Sequence, residues 1–200
     1  ELLIATNNHV VQNADQLTVL FSADTEDEED KMVTAQVKGT DSSLDLAVDA
    51  VKLENIPQDV MDQIKVIEIG DSDQVNVGDW SIAIGNALGY GQSVTFGIVS
   101  ALNREVTLST DNGEITQNMI QTDAAINFGN SGGALLDENG RLIGINSAKA
   151  SSTGVEGMGY AIPINTAKSV IEDLMNQTTR TKADADKAGA LGVRVTNVSE

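Results

Sequence analysis

Apolar residues recur along the chain in short runs separated by turn-forming residues. Leu17–Phe21, Met32–Val37, Leu46–Lys52, Val66–Ile69, Trp80–Ile84, Val94–Leu102, Ala134–Leu136, Arg141–Ser147 and Gly159–Ile162 each predict a β-strand. Several alternate with the two-residue period of a strand, and Val, Ile and Thr are enriched in them. Leu2-Leu3-Ile4-Ala5 is a further strand-like run at the start. Glu138-Asn139-Gly140 between two apolar runs predicts a hairpin turn, because Asn-Gly tolerates positive φ. Many short strands at fairly even spacing predict an all-β antiparallel barrel or sandwich.

One stretch has the helical period instead. Ala167, Val170, Ile171, Leu174 and Met175 fall on a single stripe, with Asn165 as the expected N-cap and Pro163 ending the preceding strand. Asn176–Ala190 is rich in Thr, Lys, Asp and Ala and reads as a linker. Strand character resumes at Leu191–Val198, which predicts the start of a following domain. Asp24–Asp30 is almost wholly acidic and reads as a solvated hairpin loop; the alternating ligands and glycine of a calcium loop are missing. No repeat of fixed period is found.

Composition narrows the function. The 200 residues suit one large domain or two small barrels, and the chain is long enough to bury a sizeable core. A formal net charge of −18 repels phosphate backbones and argues against nucleic-acid binding. With no cysteine there is no disulfide, thiol nucleophile or zinc–thiolate site. No apolar run approaches the ~18 residues that span a bilayer.

The chemistry concentrates in Gly129-Asn130-Ser131-Gly132-Gly133. Flanking glycines let a turn expose a serine hydroxyl and let a carbonyl approach backbone N–H groups. The same five residues satisfy the Gly-x-Ser-x-Gly elbow of α/β-hydrolases, and equally an inert glycine-rich turn. The histidine count separates the two enzymatic readings. A serine nucleophile needs a base titrating near neutrality, and His9 is the chain's sole imidazole. The elbow order places histidine after serine, which this chain cannot do. The order His, Asp, Ser belongs to the chymotrypsin-type double barrel. Asp45, immediately before the apolar run Leu46-Ala47-Val48, suits the acid that orients the ring. Asp41 and Asp49 are rivals, the first in a turn-like segment and the second further into the strand.

These blocks together resemble the HtrA/DegP family of trypsin-like serine proteases. The matching segments are Thr6-Asn7-Asn8-His9-Val10-Val11, Asp45-Leu46-Ala47-Val48, Gly70-Asp71-Ser72-Asp73, Val77-Gly78-Asp79-Trp80 and Ala83-Ile84-Gly85-Asn86. They continue with Gln121–Asn127, Gly129–Leu135, Leu142-Ile143-Gly144-Ile145-Asn146 and Gly159-Tyr160-Ala161-Ile162-Pro163. The resemblance runs from about residue 6 to about residue 175. Two departures stand out: the family has further strands before its Thr-Asn-x-His block, and Asn86-Ala87-Leu88-Gly89 stands where it has Asn-Pro-Phe-Gly.

The resemblance implies two six-stranded antiparallel β-barrels with one C-terminal helix and an active site in the cleft between them. Residues 1–178 would be the protease domain, its first barrel incomplete and its second starting near residue 75. Residues 179–200 would be a linker and the start of a truncated PDZ domain. It implies Ser131 as nucleophile, His9 as base and acid, and Asp45 as orienting carboxylate. The N–H groups of Gly129 and Ser131 would form the oxyanion hole. Ile126, Asn146 and Ala148 would line the specificity pocket, and no metal or cofactor is needed. Asn86–Gln92, Asn103–Glu114 and Lys149–Glu156 would be switch loops. It further implies misfolded or exported polypeptides as substrates and an extracytoplasmic location. A homotrimer and an N-terminal membrane anchor would belong to the full-length protein. The alternative is a non-cleaving, chaperone-like module that holds unfolded chains.

Overall fold

The alternating runs fold into two antiparallel sheets. The computed structural model describes residues 1–25, 31–86, 91–110, 113–151 and 157–179. β1 (Leu2–Thr6), β2 (Leu17–Leu20), β3 (Met32–Asp41) and β4 (Leu46–Val51) form an open sheet in the order β1-β4-β3-β2. β4 is buried at every position and is the spine of this unit. Its partners are set by Thr6 opposite Ala47 on β1 and Asp41 opposite Leu46 on β3. β5 (Trp80–Gly85), β6 (Ser93–Thr110), β7 (Gly113–Thr122), β8 (Ala134–Leu136), β9 (Leu142–Asn146) and β10 (Gly159–Pro163) close into a barrel in the order β10-β7-β6-β5-β8-β9. The helices α1 (Asn8–Val11) and α2 (Gln58–Met61) are single turns, and α3 (Ile164–Met175) is the long one.

The all-β, trypsin-like architecture is as expected: among the described residues the second barrel is closed with six strands, and an open four-stranded sheet stands in the place of the first. The structure corrects several other expectations. Val66–Ile69 forms no strand; Ile69 makes a single parallel bridge to Leu142. Of the segment 103–114, expected as a switch loop, the described residues instead belong to the long β6–β7 ladder, which runs from Arg104–Met119 to Thr110–Gly113. Its polar residues are the outward half of a strand alternation: Glu105 and Thr107 face solvent while Leu108 and Met119 are buried. The Asn139-Gly140 turn does join β8 to β9, with the Gly140 N–H donating to the Asp137 carbonyl at 3.0 Å. α3 starts one residue before the expected cap. Asn165 lies inside it, donating its Nδ2 to the Asp71 carboxylate at 2.7 Å. The acidic run beyond residue 25, most of the expected loops 86–92 and 149–156, and the tail from 180 lie largely outside the described residues.

α3 joins the two units. Its buried Ile164, Ala167 and Leu174 pack in one cluster with Leu46 and Val48 of β4 and Leu142 and Ile145 of β9. A second junction lies at the seam. Gly132 has φ +79, and a Cβ there would lie 2.1 Å from Thr6 Oγ1 and 3.0 Å from the Asn7 nitrogen. Only glycine lets these backbones approach so closely. A third contact gathers Glu1, Lys38 and Thr179. The Lys38 ammonium donates to Glu1 Oε2 at 2.7 Å and to Thr179 Oγ1 at 3.3 Å, and Thr179 donates to Glu1 Oε1 at 3.0 Å. On the barrel exterior Trp80 meets Phe96 edge-on, with ring centroids 5.4 Å apart.

Asp49 breaks the apolar logic of β4. It is 7% exposed, and its Oδ1 has no hydrogen-bond partner. Burial pushes its carboxyl up from the usual 3.8 to about 6. The folded state therefore holds this proton more tightly than the unfolded chain. The contribution of Asp49 to stability is fully present below the ordinary carboxylate value and is lost as pH rises through about 6. With part of the carboxyl screened by solvent, the effect is of order 1–3 kcal/mol. A carboxamide cannot ionise, so urea unfolding of Asp49→Asn should lose most of this pH dependence and gain stability at about pH 8. For the seam, Gly132→Ala should cost about 2–4 kcal/mol, and Thr6→Ala in the same chain should recover part of the loss in a double-mutant cycle.

Candidate active site

The segment after β1 turns at once into α1, which carries His9. A helix start leaves backbone N–H groups without internal partners, and an Asn at the cap position normally satisfies one. Asn7 occupies that position but makes no such bond. Asp45 takes the N–H groups instead. Its carbonyl accepts the Asn8 N–H at 3.0 Å, and its carboxylate Oδ1 accepts the His9 N–H at 2.9 Å. The other carboxylate oxygen lies 2.6 Å from His9 Nδ1. A carboxylate only accepts, so this contact assigns the ring proton to Nδ1 and leaves Nε2 as the basic nitrogen. The Asp45 side chain is 4% exposed and that of His9 21%. Of the rival acids, Asp41 caps its own turn through Ser43 and Leu44. Asp49 lies within β4, its Oδ1 unbonded. Asp45 is the one joined to the ring.

Ser131 sits on a tight turn. Gly129 has φ +100, a value that L side chains rarely adopt. The N–H groups of Asn130, Gly132 and Gly133 donate to the carbonyls of Asn127, Asn146 and Asn130, each at 3.0 Å. Among the described residues, the N–H groups of Gly129 and Ser131 donate to no protein acceptor. The Gly129 carbonyl is held by the Asn86 N–H at 3.2 Å, which turns that peptide's oxygen toward β5. Asn130 is fully enclosed, its Nδ2 donating to the Ala125 carbonyl at 3.1 Å. Gly132 packs on Thr6 and Asn7, so the turn bearing Ser131 abuts the segment leading to His9. The Ser131 hydroxyl, however, accepts from the Ala148 N–H at 3.1 Å and is not bonded to the imidazole.

Of the three expected pocket residues, two are apolar and buried together and the third is tied to backbone. Ile126 and Ala148 are buried in one apolar cluster with Ala124 and Ala161. The Asn146 carboxamide points at backbone, donating to the carbonyls of Ile84 at 3.2 Å and Ala134 at 2.9 Å. It braces β9 against β5 and β8. Two groups at this site were not singled out from the sequence. One is the Ala148 N–H, a backbone donor with no side-chain signature. The other is Asn7, whose Nδ2 donates to the Asp45 carbonyl at 3.0 Å. Its adjacency to the histidine was the available signal. The described residues contain no group of three His, Cys, Asp or Glu side chains able to hold a metal ion.

Comparison with known proteins identifies the family. The family model for trypsin-like peptidase domains matches residues 1–145. The chain is 45% identical over 175 residues to the serine protease Do-like HtrB of Bacillus subtilis (strain 168), covering 86% of this chain and 35% of that protein. It is 40% identical over 201 residues to the probable periplasmic serine endoprotease DegP-like of Rickettsia conorii (strain ATCC VR-613 / Malish 7), covering 99% of this chain and 35% of that protein. The chain thus spans about a third of the length of these curated relatives. Among solved structures, the HtrA-type protease AlgW with decapeptide superposes with a TM-score of 0.68 at 42% identity, over 86% of this chain and 48% of that one. The chain belongs to the trypsin-like peptidase family, and its relatives are HtrA/DegP serine proteases.

Proposed function

We propose that this chain is the proteolytic domain of a serine endopeptidase that works through an acyl-enzyme. The observation that carries the reading is the bonding of Asp45 to His9 Nδ1, which leaves Nε2 as the basic nitrogen of a ring whose preceding residues, Thr6 and Asn7, pack on Gly132. In the reaction, the Ser131 hydroxyl leaves the Ala148 N–H, turns to Nε2 and attacks the scissile carbonyl as Nε2 takes its proton. Asp45 stays ionised and stabilises the imidazolium. The N–H groups of Gly129 and Ser131 receive the oxyanion; one such donor is worth roughly 10²–10³ in rate. The imidazolium then protonates the leaving amine, and water activated by the same ring releases the acyl group.

The substrates we propose are misfolded or exported polypeptides, met outside the cytoplasm. Support comes from relatives named as periplasmic endoproteases and from a structural neighbour that holds a decapeptide. In the whole protein, residues 1–178 would be the protease domain, followed by a linker and a PDZ domain. A homotrimer carried by an N-terminal membrane anchor completes the proposal. Ile126 and Ala148, both apolar, would receive the side chain before the cut, with Asn146 bracing the wall behind them.

One observation favours a second reading, a module that binds unfolded chains without cutting them: the Ser131 oxygen is engaged by Ala148 rather than by His9. A fluorophosphonate probe separates the two. Hydrolysis predicts labelling at Ser131 that falls by roughly 10³–10⁴ in His9→Ala and by a comparable factor in Asp45→Asn. Unlabelled Ser131 in the whole protein would leave the binding module standing. On a peptide library the enzyme should cut after small or medium aliphatic residues. Cleavage chiefly after Lys or Arg would refute the assignment of Ile126 and Ala148.

A further inference from the structure

Asn7 is wholly enclosed, yet nothing in the reaction requires it to touch substrate. Its carboxamide has a fixed orientation. Nδ2 faces the Asp45 carbonyl, which can only accept, so exchanging the nitrogen and oxygen would set two acceptors against each other. Its Oδ1 has no partner in the structure. Leaving a buried acceptor unbonded is costly, so an apolar side chain of similar size would suit stability as well. Whatever the amide contributes therefore lies in its one bond.

That bond ends on a residue in need of restraint. Asp45 has φ +56, a left-handed conformation that is unfavourable for an L residue and persists only when neighbours hold it. Two donors converge on its carbonyl, the Asn8 N–H and Asn7 Nδ2, each at 3.0 Å. Rotation of this peptide would swing the carboxylate away from both His9 nitrogens. The backbone of Asn7 also lies against the turn of Ser131, at the point where a Cβ on Gly132 would come within 3.0 Å. One residue thus opens the helix of the base, holds the peptide of the acid and abuts the turn of the alcohol.

We infer that Asn7 is a positioning residue: its carboxamide locks the left-handed Asp45 peptide so that the carboxylate stays on His9 Nδ1. This rests on the proteolytic reading given above. Asn7→Asp keeps the shape and removes the donor; Asn7→Ala removes both. Each should lower kcat for a peptide substrate by ten- to hundredfold while KM stays within about twofold. In each, the low-field proton resonance of His9 Nδ1–H should move upfield or broaden away, while the melting curve remains cooperative. Folded variants with unchanged kcat and an unchanged low-field signal would overturn the inference. If neither variant folds, the native chain decides. A scalar coupling across the hydrogen bond from Asn7 Nδ2 to the Asp45 carbonyl carbon, with slowly exchanging amide protons, supports the lock, and its absence removes it. His9→Ala is the control. If that variant keeps full activity, the proteolytic reading itself fails. If it is dead while the Asn7 variants are unimpaired, only the role of Asn7 falls.

Discussion

Four hydrogen bonds from three consecutive residues converge on Asp45: the Asn7 amide and Asn8 N–H on its carbonyl, the His9 N–H and His9 ring on its carboxylate. This knot serves structure and chemistry with the same atoms. It ends β1 and begins α1, and it sits where β4 enters the sheet. The acid that orients the ring also completes the helix start that carries the ring, so base and acid cannot drift apart without unwinding both. The left-handed Asp45 backbone is what it takes to bring a main-chain carbonyl and a carboxylate to one short segment.

The alcohol is secured differently. Its turn is stitched into the barrel wall by the Gly132 N–H on the Asn146 carbonyl and the Asn146 N–H on the Gly133 carbonyl, the latter at 2.9 Å. Asn146 ties the same wall to Ile84 and Ala134. Ser131 is therefore anchored to the barrel and His9 to the open sheet. The two units meet at the Thr6–Gly132 seam and in the α3 cluster. The Ala148 contact belongs wholly to the barrel side. Freeing the hydroxyl thus needs a change within the barrel and none in the His9–Asp45 pair.

Much of this was legible in the residues because it rests on composition and order. A single imidazole, a carboxylate ahead of an apolar strand and a serine among glycines leave few arrangements. The strands with alternating Val, Ile and Thr were likewise readable, because pleat period and side-chain chemistry agree. β7 was missed because its outward half is Glu, Thr and Asn, and β6 beyond Asn103 was missed for the same reason. Which face of β5 points inward was also illegible. Ser81 and Ala83 are buried while Trp80 is exposed, the reverse of what side-chain hydropathy alone assigns. The role of Asn7 needed coordinates, because a carboxamide beside a histidine carries no sign of whose carbonyl it will reach.

The small cluster of Glu1, Lys38 and Thr179 has a topological consequence. The first residue and the last described one meet on the same lysine of β3, on the sheet that bears the base. A few flexible residues would suffice to splice Thr179 to Glu1. The chain could then be reopened at an exposed hairpin such as Asn139-Gly140, far along the sequence from both ends, with His9, Asp45 and Ser131 still on one polypeptide.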